Sequence, residues 1–183
     1  MLPSMMRTAF LVLTLTACGD REVPILVNAW CDTPREEKVF SIIDGDTLTL
    51  NNGEEIRLLG VDAPELYYTG HSECSSEEHS TCCYGDESTQ ALEDLIPVGS
   101  TVRLEFDLAC EGIYGRTLAY LYTVPEDEEE PEVFINEWLL EEGLARVYDD
   151  DVGQAREIRY LERFQDAQST AQVSEKGLWD ACF

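Results

Sequence analysis

A small closed β-barrel with attached helices, an α+β and mainly β class, is the fold this sequence predicts. Three observations lead there. Five stretches alternate or run apolar at strand length, a single helical pattern interrupts them after the third, and the other helical patterns fall at the C-terminal end. A doubly wound sheet needs a helix between most strands, and too few alternations of that kind are present. At 183 residues, 44% of them hydrophobic, the chain suits one domain with an N-terminal extension.

The elements follow in order. "KVFSIID" (38–44), "DTLTL" (46–50) and "EEIRLLGV" (54–61) read as strands. Gly45 separates the first pair and Asn51-Asn52-Gly53 the second; Asn-Gly is the strongest short hairpin signal, so a three-stranded meander is expected. Residues 66–83 form a polar, cysteine-rich insertion. "DESTQALEDLI" (86–96) sets Ala91, Leu92, Leu95 and Ile96 on one helical face, and Pro97 and Gly99 end it. "TVRLEF" (101–106) and "GRTLAYLYTV" (115–124) are the last two strands, before an acidic loop, "PEDEEEPE" (125–132). "VFINEWLLEEG" (133–143) reads as a helix with Phe134, Ile135, Trp138 and Leu139 inward and Gly143 as its cap. "QAREIRYLERFQDAQSTAQ" (154–172) reads as a final helix with Ile158 and Leu161 on one face.

The start of the chain has a different character. Arg7, the apolar run from Ala9 to Leu15 and small residues after it have the layout of an export signal, too short to span a membrane. The stretch ends in Leu15-Thr16-Ala17-Cys18, which resembles the lipobox of bacterial lipoproteins. The expected divisions are a signal peptide (1–18) with Cys18 lipidated, a tether (19–36) in which Pro24 and Pro34 discourage helix, and a domain (37–183). The expected location is the bacterial cell envelope, through an N-terminal lipid in a membrane, or the exterior; simple cleavage near Cys18 is the competing reading. Of seven cysteines, setting Cys18 aside leaves Cys31, Cys74, Cys82, Cys83, Cys110 and Cys182, an even number that suits three disulfides in an oxidising compartment. Adjacent Cys82 and Cys83 are expected to reach separate partners. "HSEC" (71–74) and "HSTC" (79–82) also offer a His-x-x-Cys echo for zinc, with a disulfide-stapled loop the preferred reading.

Charge is the anomaly. With 38 acidic against 12 basic residues, the formal net charge is −26. Such a field repels polyanions and by itself speaks against nucleic acid as a partner. An anion site must therefore be local and bring its own cations. "DGDT" (44–47), "IRLLGVDAPE" (56–65), "YGR" (114–116) and "GLARVY" (143–148) supply such a set. Asp44, Asp46, Asp62 and Glu65 are carboxylates, and Arg57 and Arg116 are isolated cations in an acidic chain. Pro64 makes the exit from the third strand rigid. Oxygen-only ligands select a hard cation such as Ca²⁺. Two arginines can grip phosphate oxygens in bidentate fashion, and a free carboxylate can deprotonate a water. Together these parts describe metal-assisted phosphodiester hydrolysis. Taken singly, Asp44-Gly45-Asp46 reads as a turn, Arg57 as a surface cation and Arg116 as a salt-bridge partner; their joint order favours the site.

These motifs, with "YGDESTQALEDLI", "INEWLLEEGLARV" and "GLW", resemble the staphylococcal nuclease (thermonuclease) family over about residues 38–180. The resemblance implies an OB-type five-stranded barrel with three helices. It implies Ca²⁺-dependent cleavage of DNA or RNA, leaving 3′-phosphate ends. Asp46 and Asp62 match the metal-binding aspartates, with the backbone carbonyl of Ala63 as a further ligand. Asp44 and Thr47 match residues behind the metal site. Arg57 and Arg116 match the phosphate-binding arginines, and Glu65 the carboxylate assigned as general base. Tyr114 matches a tyrosine beside the nucleotide, and Tyr148 lies near a base-stacking one. Three departures stand out: Ala63 replaces a threonine, acid replaces the lysine-rich surface, and the cysteine-rich insertion starts just after Glu65. A monomer is expected, and no protein partner is inferred. The alternative is a non-catalytic binding module of the same family, which retention of Arg57, Glu65 and Arg116 disfavours.

Overall fold

The computed structural model describes residues 33–66, 82–107, 110–112, 114–127, 129–148 and 158–183. Five strands close into a barrel: β1 (Arg35–Ile42), β2 (Thr47–Leu50), β3 (Glu55–Leu58), β5 (Thr101–Glu105) and β6 (Thr117–Thr123), in the order β1-β2-β3-β6-β5. A two-stranded sheet of β4 (Val61–Asp62) and β7 (Arg146–Val147) sits beside it. The helices are α1 (Gly85–Leu95), α2 (Ile135–Glu141), α3 (Leu161–Val173) and a short α4 (Leu178–Ala181). This is the expected five-stranded OB-type barrel with its three helices, and α4 is an addition.

The meander forms as the alternation dictates. β1 pairs β2 and β2 pairs β3, both antiparallel, with Leu48, Leu50, Ile56 and Leu58 fully buried between them. Each such leucine or isoleucine contributes about 1.5–3 kcal/mol of burial. The Asn51–Gly53 hairpin closes through Leu50 N–H donating to the Glu54 carbonyl at 2.9 Å. β6 is buried nearly end to end, from Leu118 to Tyr122, because barrel and helices cover its two faces. Its pairing with β3 is parallel, Arg57 opposite Leu118.

Several boundaries differ from the sequence reading. The expected strand 54–61 is two strands, because Gly60 has φ +80° and breaks the ladder after Leu58. β1 begins at Arg35, two residues ahead of the expected domain start at 37. The last helix starts at Leu161 rather than 154; Ile158 to Tyr160 lead into it, and residues 149–157 lie outside the described ones. Its buried residues are Phe164, Ala167 and Ala171; Leu161 is only partly covered, and Ile158, ahead of the helix, packs against the core. Phe164 joins Tyr120, Phe134 and Tyr160 in an aromatic cluster that fastens α2 and α3 to the barrel. Leu140 of α2 is also buried, while Trp138 is only partly so.

Cys83 and Cys182 form a disulfide across a sequence separation of 99 residues. Cys82 and Cys110 are disulfide-bonded as well, so the adjacent pair does bridge to separate partners. A bonded Cys82 has no thiolate to offer a metal, which removes it from the zinc alternative. Cys18, Cys31 and Cys74, the signal segment and most of the 66–83 insertion lie outside the described residues. Among the described residues, no helix is long and apolar enough to cross a membrane.

Candidate active site

The turn between β1 and β2 carries Asp44, Gly45 and Asp46. Its mouth is closed by two backbone donors, Ile43 N–H at 2.9 Å and Asp44 N–H at 3.2 Å, on the Thr47 carbonyl. The Asp44 carboxylate accepts from the Asp46 N–H at 3.1 Å, an Asx turn that shapes the bend. Gly45 is needed for space. A Cβ there would stand 2.7 Å from Ala63 Cβ and 2.9 Å from Ser88 Cβ. The turn thus lies directly on the Asp62–Ala63 segment and on α1.

Asp46 is 1% exposed. Its Oδ1 accepts from the Thr47 hydroxyl at 2.9 Å and its Oδ2 from the Ala63 N–H at 2.6 Å. Arg57, on β3, forms ion pairs with Asp46 through Nη1 and with Asp62 through Nη2, the latter at 2.6 Å. One guanidinium therefore joins a buried and an exposed carboxylate from two different elements. A buried carboxylate without such a partner would be costly by several kcal/mol. Burial pushes the Asp44 carboxyl above its ordinary value, against the pull of Arg57, the Thr47 hydrogen bonds and Arg116. Arg116 lies just before β6, its Nε 4.0 Å from Glu55, and its guanidinium stands 5.8 Å from the centroid of the Tyr114 ring.

Glu65 is exposed, in a segment from Ala63 to Leu66 with no strand or helix. Tyr114 is 78% exposed beside Arg116, and Tyr148 is 45% exposed just past β7, its N–H donating to the Gly60 carbonyl at 3.1 Å. Two residues that lie in the quoted motifs but were given no role there also stand beside the site. Arg146 faces Asp62 across the β4–β7 pair, and Ser88 on α1 donates to the Leu144 carbonyl at 2.5 Å. The signal for Arg146 was available: it too is an isolated cation in an acidic chain.

Among the described residues, no group of three or more histidine, cysteine, aspartate or glutamate side chains could hold a metal ion. The oxygens around Arg57 nevertheless fit a hard cation. Asp46 and Asp62 already converge on one positive group, and their donors are oxygen only. With a backbone carbonyl and waters, two carboxylates are enough for Ca²⁺.

Comparison with known proteins bears on this arrangement. A family model described as staphylococcal nuclease homologue matches residues 55–181. The chain belongs to the staphylococcal nuclease homologue family. Asp44 to Thr47 lie ahead of that matched span. The thermonuclease of Staphylococcus hyicus is 32% identical over 145 residues, covering 78% of this chain and 74% of its own. The thermonuclease of Staphylococcus intermedius is 29% identical over 145 residues, again 78% and 74%. Endonuclease YhcR of Bacillus subtilis is 24% identical over 146 residues, which cover only 11% of its length. The closed five-stranded barrel described above is the frame on which this family member carries Asp46, Arg57 and Asp62.

Proposed function

We propose that this protein is a Ca²⁺-dependent phosphodiesterase that hydrolyses DNA or RNA to 3′-phosphate products. One observation carries the reading: Arg57, on the barrel of a nuclease family, ties Asp46 and Asp62 together. The names of the relatives, thermonuclease and endonuclease, support the same class of activity.

In this reading Asp46, Asp62 and the Ala63 carbonyl would hold Ca²⁺, which supplies positive charge beside the scissile phosphate. The chain's own residues do the rest. Arg57 and Arg116 bind non-bridging phosphate oxygens, and a planar fork suits that task. Arg57 must then exchange part of its carboxylate pairing for phosphate. Glu65, exposed and two residues past Ala63, takes a proton from the attacking water. The new P–O bond forms as the bond to the 5′ oxygen breaks; that oxygen regains a proton, and the phosphate stays on the 3′ side. Asp44 and Thr47 hold Asp46 in place. Tyr114 and Tyr148 offer exposed rings to the nucleotide. Export and an N-terminal lipid at Cys18 belong to the same proposal, on the layout of residues 1–18.

A non-catalytic binding module remains a second reading for one reason: Arg57 is engaged by both aspartates. Analysis of product ends tests the proposal. Digestion of a short single-stranded oligonucleotide with Ca²⁺ should leave 3′-phosphates that a phosphatase removes. Intact substrate supports the binding module, and 5′-phosphate ends contradict the assigned bond.

A further inference from the structure

We infer that the Cys83–Cys182 disulfide is a positioning device for the site: it holds the start of α1 against the backbone of Glu65. The inference rests on Glu65 being the proton acceptor proposed above. No ladder fixes this residue, since Ala63 to Leu66 belong to no strand or helix. Its backbone is placed by packing against Gly85, the first residue of α1. A Cβ on Gly85 would collide with the Glu65 carbonyl, 2.8 Å from its carbon and 2.9 Å from the Pro64 oxygen.

What holds Gly85 there is the turn that precedes it. Gly85 N–H donates to the Cys82 carbonyl at 3.2 Å, and Tyr84 has φ +75°. A large residue in the left-handed region persists only where its surroundings fix it. Helix α1 does so on one side of Tyr84. On the other side is Cys83, bonded to Cys182 with a Cα–Cα distance of 6.0 Å. The far end is itself anchored. Leu178 N–H donates to the Gly143 carbonyl at 2.8 Å, and Leu178 is buried. Trp179 stacks on Phe183 with centroids 5.2 Å apart, and Arg146 lies 5.0 Å from the Phe183 ring. Arg146 faces Asp62 across the β4–β7 pair. The C-terminal segment therefore reaches both sides of the site: Glu65 through the disulfide and α1, and Asp62 through Arg146 and β7.

The test uses the full chain under non-reducing conditions, well below its melting temperature. In the double variant Cys83→Ser/Cys182→Ser, kcat should fall about tenfold or more, because an ångström of misplacement is costly in a reacting geometry. KM and the Ca²⁺ midpoint should stay within about twofold of the parent, a split that general loosening does not produce. Hydrogen exchange at the Glu65 and Leu66 amides should quicken while β2 and β5 stay protected. Gly85→Ala, with the disulfide intact, should reproduce the loss of kcat. Unchanged turnover and exchange in the double variant would overturn the inference, as would a kcat loss that only tracks the unfolded fraction. If the parent itself shows no Ca²⁺-dependent cleavage, the proposed function fails; the exchange measurement still decides whether the disulfide places Glu65.

Discussion

Arg57 has two duties that compete: it neutralises buried Asp46, and it is the group assigned to phosphate. Removing it strands a carboxylate that is 1% exposed. Arg57→Gln should cost about 3–5 kcal/mol when Ca²⁺ is chelated. Added Ca²⁺ should recover more stability in the variant than in the parent, since it would take the same carboxylates. Equal thermal shifts in both proteins would show that Arg57 and the metal do not share those oxygens. Arg57→Lys keeps a charge but loses the fork, and should lower kcat/KM by about 10²-fold; parental kinetics would mean the phosphate is held elsewhere. Gly45 is a second sensitive residue. Gly45→Ala places a methyl against Ala63 and Ser88 and should cost about 1–3 kcal/mol in a denaturant titration.

Elements are fastened to one another by a few polar side chains. Asn136 on α2 is buried; it accepts from the Leu121 N–H at 2.9 Å and donates to the Leu59 carbonyl at 2.9 Å. Asn136→Ala leaves both unsatisfied and should cost about 2–4 kcal/mol by chemical denaturation. Glu54 links β1 to β6, pairing with Arg35 and accepting from Thr117 at 2.7 Å. Partial burial opposes its charge, yet the hydrogen bonds from Thr117, Arg35 and Asn52 hold its carboxyl below the ordinary 4.5. The lowered folded value means Glu54 adds stability above about pH 4.5 and loses it as pH falls through the folded value. The stability gap between the parent and Glu54→Gln should therefore close on acidification; a gap constant with pH would contradict it. Strands β1, β2 and β5 were legible in the sequence because alternation records their inward side chains, and β6 because a strand covered on both faces reads as an apolar run. The break at Gly60 was not, since "IRLLGV" is apolar on both sides of it. The parallel β3–β6 pairing and the Cys83–Cys182 partnership join distant residues and leave no local pattern. Of the candidate site, the residue types and their order were legible, whereas the engagement of Arg57 with two aspartates depends on a contact that spacing cannot express.

The whole molecule sets the terms on which a polyanion can approach. Its net charge of −26 should slow association with long nucleic acids, most where screening is weakest. At fixed Ca²⁺, kcat/KM on long single-stranded DNA should rise as salt goes from about 10 mM to about 150 mM, where the Debye length shrinks from roughly 30 Å to about 8 Å. A dinucleotide substrate should respond little; a steady fall for both would mean that local cations dominate the encounter. The disulfides act at this scale too: the Cys83–Cys182 loop of 99 residues confines the unfolded chain and, by the chain-entropy argument, adds about 4–5 kcal/mol. The most direct test of the account is cleavage of single-stranded DNA by the purified protein with Ca²⁺ and with EGTA, run beside Glu65→Gln. The account predicts cleavage by the parent that EGTA abolishes, and much slower turnover by Glu65→Gln with Ca²⁺ binding retained. No Ca²⁺-dependent cleavage by the parent at any pH or salt concentration would contradict it.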